Sequence, residues 1–312
     1  MKKKIVVILG PTAVGKTKYA IHVAKSLDGE ILSADSMQIY KYMDIGSAKP
    51  TKEELAMVPH HLVGEVDPSQ DWTVADYQRE AKGRIEHIFS KGKLPVVSGG
   101  TGLYINSLVY EMDFSSVKED EELRKELQQI AEREGGQALH DRLKKLDPDA
   151  AKRTHPNNIK RLIRAIEVVE STGEGIPPFK NAFKKNRDYD CIIIGLNRDR
   201  KVLYKRINER VDEMMKAGLL EEVKSLLNMG LTENDISMKA IGYKELIGYL
   251  RNEYDLSEAV RLIKKNTRNY AKRQMTWFRR YDSIQWFDIT KDIDFEGSVQ
   301  QIIDYIRKEL AS

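Results

Sequence analysis

The stretch IVVILGPTAVGKTKYAIHVAKSL, residues 5–27, decides the fold. IVVIL (5–9) is an apolar run of strand length. GPTAVGKT (10–17) follows at once and fits G-x-x-x-x-G-K-[ST], the spacing of a phosphate-binding loop. KTKYAIHVAKSL (16–27) is apolar at helical spacing. Strand, glycine loop and helix in this order are the context the signature requires. Gly10, Pro11, Thr12, Ala13, Val14, Gly15, Lys16 and Thr17 therefore form a candidate anion site. Amides and the helix N-terminus suit an anion, Lys16 brings a point charge, and the Thr17 hydroxyl suits Mg2+. The signature alone is that of ATP- and nucleotide-binding proteins.

Outward from this loop, short apolar runs alternate with helical stretches. GEILSAD, HHLVGEV, KLPVVSG, CIIIGLN and IQWFDI read as further strands, and TVADYQREAKGRIEHIFSKG as a helix closing on Gly92. The alternation predicts an α/β fold, a P-loop parallel sheet flanked by helices. From about residue 119 to 171 only helical pattern is found, which predicts an all-helical insertion over 116–189, with a return loop over 173–190. The core then comprises 1–115 and 190–312, with helical regions at 200–229 and 256–281 and a last amphipathic helix.

A loop of this kind in an NTPase works with an Asp at the end of a nearby strand. LPVV ends instead in Ser98-Gly99-Gly100-Thr101-Gly102, a second glycine turn with a hydroxyl. That turn is either a second cradle for phosphates or a plain strand-to-helix turn. Asp35 ends the second candidate strand, where open α/β sheets bind ligands. It suits a general base, a metal ligand or an N-cap. Gln38 offers both a donor and an acceptor to a base edge. His60 and His61 point to opposite faces of a strand and read as packing, not as a metal pair. Asp76 suits a substrate contact or the surface, and Arg206 and Arg210, four apart, suit an anion clamp or surface ion pairs.

Composition narrows the partners. Hydrophobic residues are 41% and charged residues 32% of 312, a balance that supports a sizeable core. A single cysteine, Cys191, leaves no internal disulfide and points to a reducing, cytosolic setting. The apolar run at 5–9 is too short for a leader, and no run approaches the ~20 residues that span a bilayer, so no membrane partner is expected. Net charge is only +4, but residues 261–280 hold eight Lys or Arg and no acid, and 152–165 hold five and no acid. Such runs suit a polyanion. In the first of them Trp277 and Phe278 suit either stacking on bases or packing.

Taken in order, GPTAVGKT, ADSMQIYKYMDIGSAKP, PHHL, DPSQDWTVADY, SGGTGLYI, HPNNIKRLIRAIEV, KAIGYKE and AKRQMTWFRR give a chain that resembles the bacterial tRNA dimethylallyltransferases from the first strand to about Arg280. The resemblance implies that the loop binds the diphosphate of dimethylallyl diphosphate, and that the five-carbon group passes to N6 of adenosine 37 in the anticodon stem-loop of tRNA. It implies Asp35 as base, with Lys16, Thr17 holding Mg2+, Thr101 and Arg210 on the leaving group. It implies tRNA contacts from Asp35, Ser36, Met37, Gln38, Thr101, Arg124, Lys160, Arg161, Arg164, Lys239, Gly242, Tyr243, Lys244, Lys272, Arg273, Gln274, Thr276, Trp277 and Arg279, with the insertion gripping the stem-loop. A cytoplasmic monomer is expected.

Overall fold

The structure is a computed structural model that describes residues 2–112, 120–175, 184–281, 283–290 and 295–312. It divides into two compact units. One runs to Val109 and resumes at Asn186; the other spans Tyr110–Lys185. The expected boundary at 115/116 and residues 176–183 of the expected return loop lie outside the described residues.

The first unit is built on a six-stranded parallel sheet: β1 (Lys3–Leu9), β2 (Gly29–Ala34), β3 (His60–His61), β4 (Leu94–Gly99), β5 (Tyr189–Asn197) and β6 (Ile284–Asp288), in the order β3-β2-β4-β1-β5-β6. Ile5 to Leu9 are wholly buried, as an unbroken apolar strand covered on both faces must be. Around the sheet and in the second unit lie α1 (Lys16–Ser26), α2 (Lys52–Met57), α3 (Val74–Ser90), α4 (Gly102–Val109), α5 (Glu121–Glu134), α6 (Gly136–Leu146), α7 (Pro148–Lys152), α8 (Ile159–Thr172), α9 (Arg200–Lys216), α10 (Leu219–Asn228), α11 (Tyr243–Leu250), α12 (Leu256–Phe278) and α13 (Phe295–Ala311).

Register fixes where chemistry can sit. Leu9 pairs with Gly99, and Gly99 pairs with Ala34, so β1, β4 and β2 end side by side. The phosphate loop, the second glycine turn and Asp35 leave the sheet at that common edge, where parallel sheets present ligand sites. Gly15 is the N-cap of α1 with φ 111°, a left-handed conformation open to glycine without strain. The expected strand HHLVGEV is cut to two residues. Leu62 and Gly64 turn to φ 60° and 64°, and the Leu62 N–H donates to Glu65 Oε1 at 2.7 Å, so the chain leaves the sheet. The helical region 200–229 breaks into α9 and α10 at Gly218, φ 99°.

The second unit packs α5 to α8 around Leu127, Leu139, Leu143, Leu162 and Ile166, all wholly buried. Tyr110 and Lys185 pair antiparallel at its two ends. Among the described residues no helix is long and apolar enough to cross a membrane.

Candidate active site

Two adjoining cavities occupy the common edge of β1, β2 and β4, within the first unit. One, of about 470 Å3, is lined by the phosphate loop (Thr12, Ala13, Gly15, Lys16, Thr17), by Asp35, and by Arg206 and Arg210 of α9. The other, of about 370 Å3, is lined more by carbon and includes Ser36, Met37, Ile207, Val211, Leu219, Lys239 and Arg273. Asp35, Arg210 and Tyr270 line both.

The loop is held by groups that take its carbonyls. Lys16 Nζ donates to the carbonyls of Gly10 and Pro11, each at 3.0 Å. Arg206 Nε donates to the Ala13 carbonyl at 3.1 Å, and the buried Arg198 donates to that of Val14 at 2.9 Å. Burial pulls the Lys16 ammonium down to about 8; Asp35 opposes this and Arg210 adds to it. Burial likewise lowers Arg210, against the pull of Asp35 and Glu213. The site therefore gathers cations that have given up water, each with an interest in an anion. Tyr270 is pushed up to about 12, by burial first and then by Asp35, so its phenol stays protonated at neutral pH.

Asp35 caps a turn and not a helix. Its Oδ1 accepts the N–H groups of Met37 at 2.9 Å and Gln38 at 3.4 Å. No described residue hydrogen-bonds Oδ2. The turn is tied to the second glycine turn by Thr101, whose Oγ1 accepts the Ser36 N–H at 3.0 Å. Thr101, expected on the leaving group, is not among the residues lining either cavity; its hydroxyl stands beside Tyr270, which lines both.

Other expected contacts sort by exposure. Lys160 and Arg161 are exposed on α8, and Lys239, Lys244, Lys272, Arg273, Thr276 and Arg279 are exposed on the first unit. Arg124 and Arg164 both pair with the buried Glu167. The Gln38 amide donates to the Ala48 carbonyl at 3.0 Å, and its oxygen accepts from Ser33 at 3.1 Å, so it braces the 47–48 loop where it lines the first cavity. Gly242 is buried, its N–H donating to Glu245 at 2.7 Å. Tyr243 is wholly buried and donates to Glu222 at 2.6 Å, which leaves its side chain no path to a partner. The same Glu222 accepts three consecutive N–H groups, of Asp44, Ile45 and Gly46, and so fixes the segment that walls the second cavity. Trp277 lies against Gly102 and packs. Gln274 is buried with both amide atoms engaged.

Asp76 and Thr73 form a capping box at the start of α3, and Asp76 also pairs with Arg79. His60 and His61 bond the Val58 carbonyl and Glu30, as packing residues do. Arg198 and Tyr270 are members of the site that sequence reading passed over. Arg198 carried one usable sign, a cation directly after a buried strand at its C-terminal end.

Among the described residues no three His, Cys, Asp or Glu side chains gather as metal ligands. A divalent ion here needs the ligand's own phosphate oxygens, with the Thr17 hydroxyl beside them. That sparse, all-oxygen arrangement suits Mg2+, which keeps waters and binds with substrate phosphates.

Fold and site define a P-loop α/β protein whose loop shares a cavity with a strand-end carboxylate. The chain matches the family model IPP transferase over residues 38–281 and the model Isopentenyl transferase over 3–63. It is 53% identical to the tRNA dimethylallyltransferase of Alkaliphilus oremlandii, over 97% of each chain. The full-length tRNA isopentenylpyrophosphate transferase of Bacillus halodurans has a similar structure, with TM-score 0.76 and 45% identity over 99% of this chain and 97% of that one. A eukaryotic dimethylallyltransferase acting on tRNA matches with TM-score 0.86 and 30% identity, over 99% of this chain and 79% of that one. The chain belongs to the tRNA dimethylallyltransferase family of prenyltransferase enzymes.

Proposed function

We propose that this enzyme transfers the dimethylallyl group of dimethylallyl diphosphate to N6 of adenosine 37 in the anticodon loop of tRNA. The observation that carries the reading is Asp35 on the shared wall of two cavities, one lined by the phosphate loop and one richer in carbon. The first suits the diphosphate and the second the reacting carbons and base. In the reaction the donor's C1–O bond breaks, a C1–N6 bond forms, the N6 proton passes to Asp35 Oδ2, and diphosphate leaves. Adenine's exocyclic amine is a weak nucleophile because its lone pair is delocalised, so a carboxylate within reach of its proton matters.

Charge that develops on the leaving oxygens meets Lys16, Arg206, Arg210 and the loop amides. Donors already in place there cost no reorganisation during reaction. Thr17 would hold Mg2+, which when bound supplies further positive charge against the diphosphate. The target base must be turned out of its stack, at a cost of a few kcal/mol. Phosphate contacts from Lys272, Arg273 and Arg279, and from Lys160 and Arg161 of the helical unit, offset that cost.

The test is incubation with dimethylallyl diphosphate, Mg2+ and unmodified tRNA, followed by nucleoside mass spectrometry. Adenosine heavier by one prenyl group, located at position 37, is expected. Prenylated AMP with unchanged tRNA would overturn the acceptor, and no prenylated product in either would overturn the reaction.

A further inference from the structure

The buried stripe of α12 is Ala259, Ile263, Ala271, Gln274 and Phe278. All but Gln274 are apolar, and Gln274 is only 5% exposed. An amide in that position is destabilising unless both of its ends are paired. Both are. Its Oε1 accepts the Thr12 N–H at 2.9 Å and its Nε2 donates to the Gly100 carbonyl at 2.8 Å. Thr12 belongs to the phosphate loop after β1, and Gly100 to the glycine turn after β4. The two strands are paired, but beyond their last partners, Leu9 and Gly99, the ladder no longer sets the spacing of the turns.

The chemistry of the link is selective. Accepting from an N–H and donating to a carbonyl at once needs a neutral amide; a carboxylate only accepts, and Lys and Arg only donate. The fit is close as well. A Cβ on Gly100 would lie 2.4 Å from Gln274 Nε2 and 3.5 Å from Lys16 Nζ. Gln274 also lines the cavity of the phosphate loop and not the second one, while its neighbours Lys272 and Arg273 are exposed.

We infer that Gln274 is a positioning residue of the diphosphate site, clasping the phosphate loop to the second glycine turn, and is not a contact to RNA. This rests on the assignment of the donor to the first cavity. Gln274→Met keeps the length of the side chain and removes both bonds. Gln274→Glu keeps an acceptor for Thr12 and loses the donor to Gly100.

Each variant is expected to weaken Mg2+–diphosphate binding, read by calorimetry, and to raise KM for dimethylallyl diphosphate, by about tenfold per lost bond. Binding of tRNA, read by filter retention, stays at the wild-type value. Gly100→Ala approaches the clasp from its other side and leaves the amide intact. It is expected to give the same donor-specific defect, and adding Gln274→Ala, which removes the clasp outright, to restore none of the loss. Weakened tRNA binding with unchanged diphosphate binding would make Gln274 an RNA contact. No change in either would make the clasp dispensable. Wild-type protein that binds diphosphate yet leaves tRNA unmodified would sink the proposed reaction and not the clasp.

Discussion

In the proposed reaction Asp35 has two jobs for two oxygens. Oδ1 holds the turn of residues 35–38 through the Met37 and Gln38 N–H groups, and Oδ2 is the oxygen proposed to take the substrate proton. The jobs separate in Asp35→Asn. The amide oxygen still accepts from the turn, so the backbone keeps its course, but the neutral side chain takes no proton. Transfer to tRNA is expected to fall by about 10²–10⁴-fold, the usual worth of a general base. Diphosphate binding and tRNA binding are expected to survive. Single-turnover kinetics with both substrates saturating measures this, and near-normal turnover would remove Asp35 as the base.

At the scale of elements, α12 is an amphipathic helix whose charge is sorted along its length. The sequence shows eight cations over residues 261–280 without an acid. In the fold, Arg261 pairs with Glu258 and Lys264 with Asp212, while Lys272, Arg273 and Arg279 have no ion-pair partner among the described residues. The exposed cations Lys272, Arg273 and Arg279 at the end of the helix are therefore available to a polyanion. Lys272→Ala with Arg273→Ala is expected to weaken tRNA binding and to flatten the plot of log affinity against log salt by about one to two units. Arg261→Ala, which gives up an ion pair on the same helix, is expected to leave that slope unchanged. Equal slopes in all three proteins would mean that this face points away from the RNA.

The elements also show what was legible in the sequence. The loop at 10–17 and the strands around it follow from local spacing, and local spacing survives folding. The strand expected from HHLVGEV does not form beyond His61, because Leu62 turns to a positive φ that no residue pattern announces. The resemblance implies Tyr243 and Gln274 as tRNA contacts, whereas the fold buries both, because a motif names residues without saying where they face. Their partners, Glu222, Thr12 and Gly100, lie 21, 262 and 174 positions away. A polar residue on the 259–263–271–278 stripe was the one available sign for Gln274. For Tyr243 the sign was the apolar stripe of residues 236–250 in which it stands, the pattern of an ordinary core helix.

At the scale of the whole molecule, the two units have separate cores and should lose structure separately. Beside the apolar core of the helical unit lies Glu167, wholly buried, whose carboxylate takes Arg124 at 2.8 Å, Arg164 at 2.6 Å and the Asp120 N–H at 2.9 Å. Burial alone would raise the pKa of Glu167; the hydrogen bonds from Arg124, Arg164 and Asp120 outweigh it, and the group lies below its ordinary value. Its contribution is therefore complete above the unfolded-state value near 4.5 and is lost as the pH falls through the lower folded value. Glu167→Gln weakens these charge-assisted bonds but leaves two arginines that still reach water. We expect a cost of about 1–3 kcal/mol, a ten- to hundredfold loss of amide protection. Hydrogen exchange should show that loss in residues 120–175 and not in β1 or β5, and the variant should lack the acid step of the wild type in the same segment. Protection lost equally in both units would mean that they unfold as one, and unchanged protection would mean that the Glu167 cluster holds nothing together.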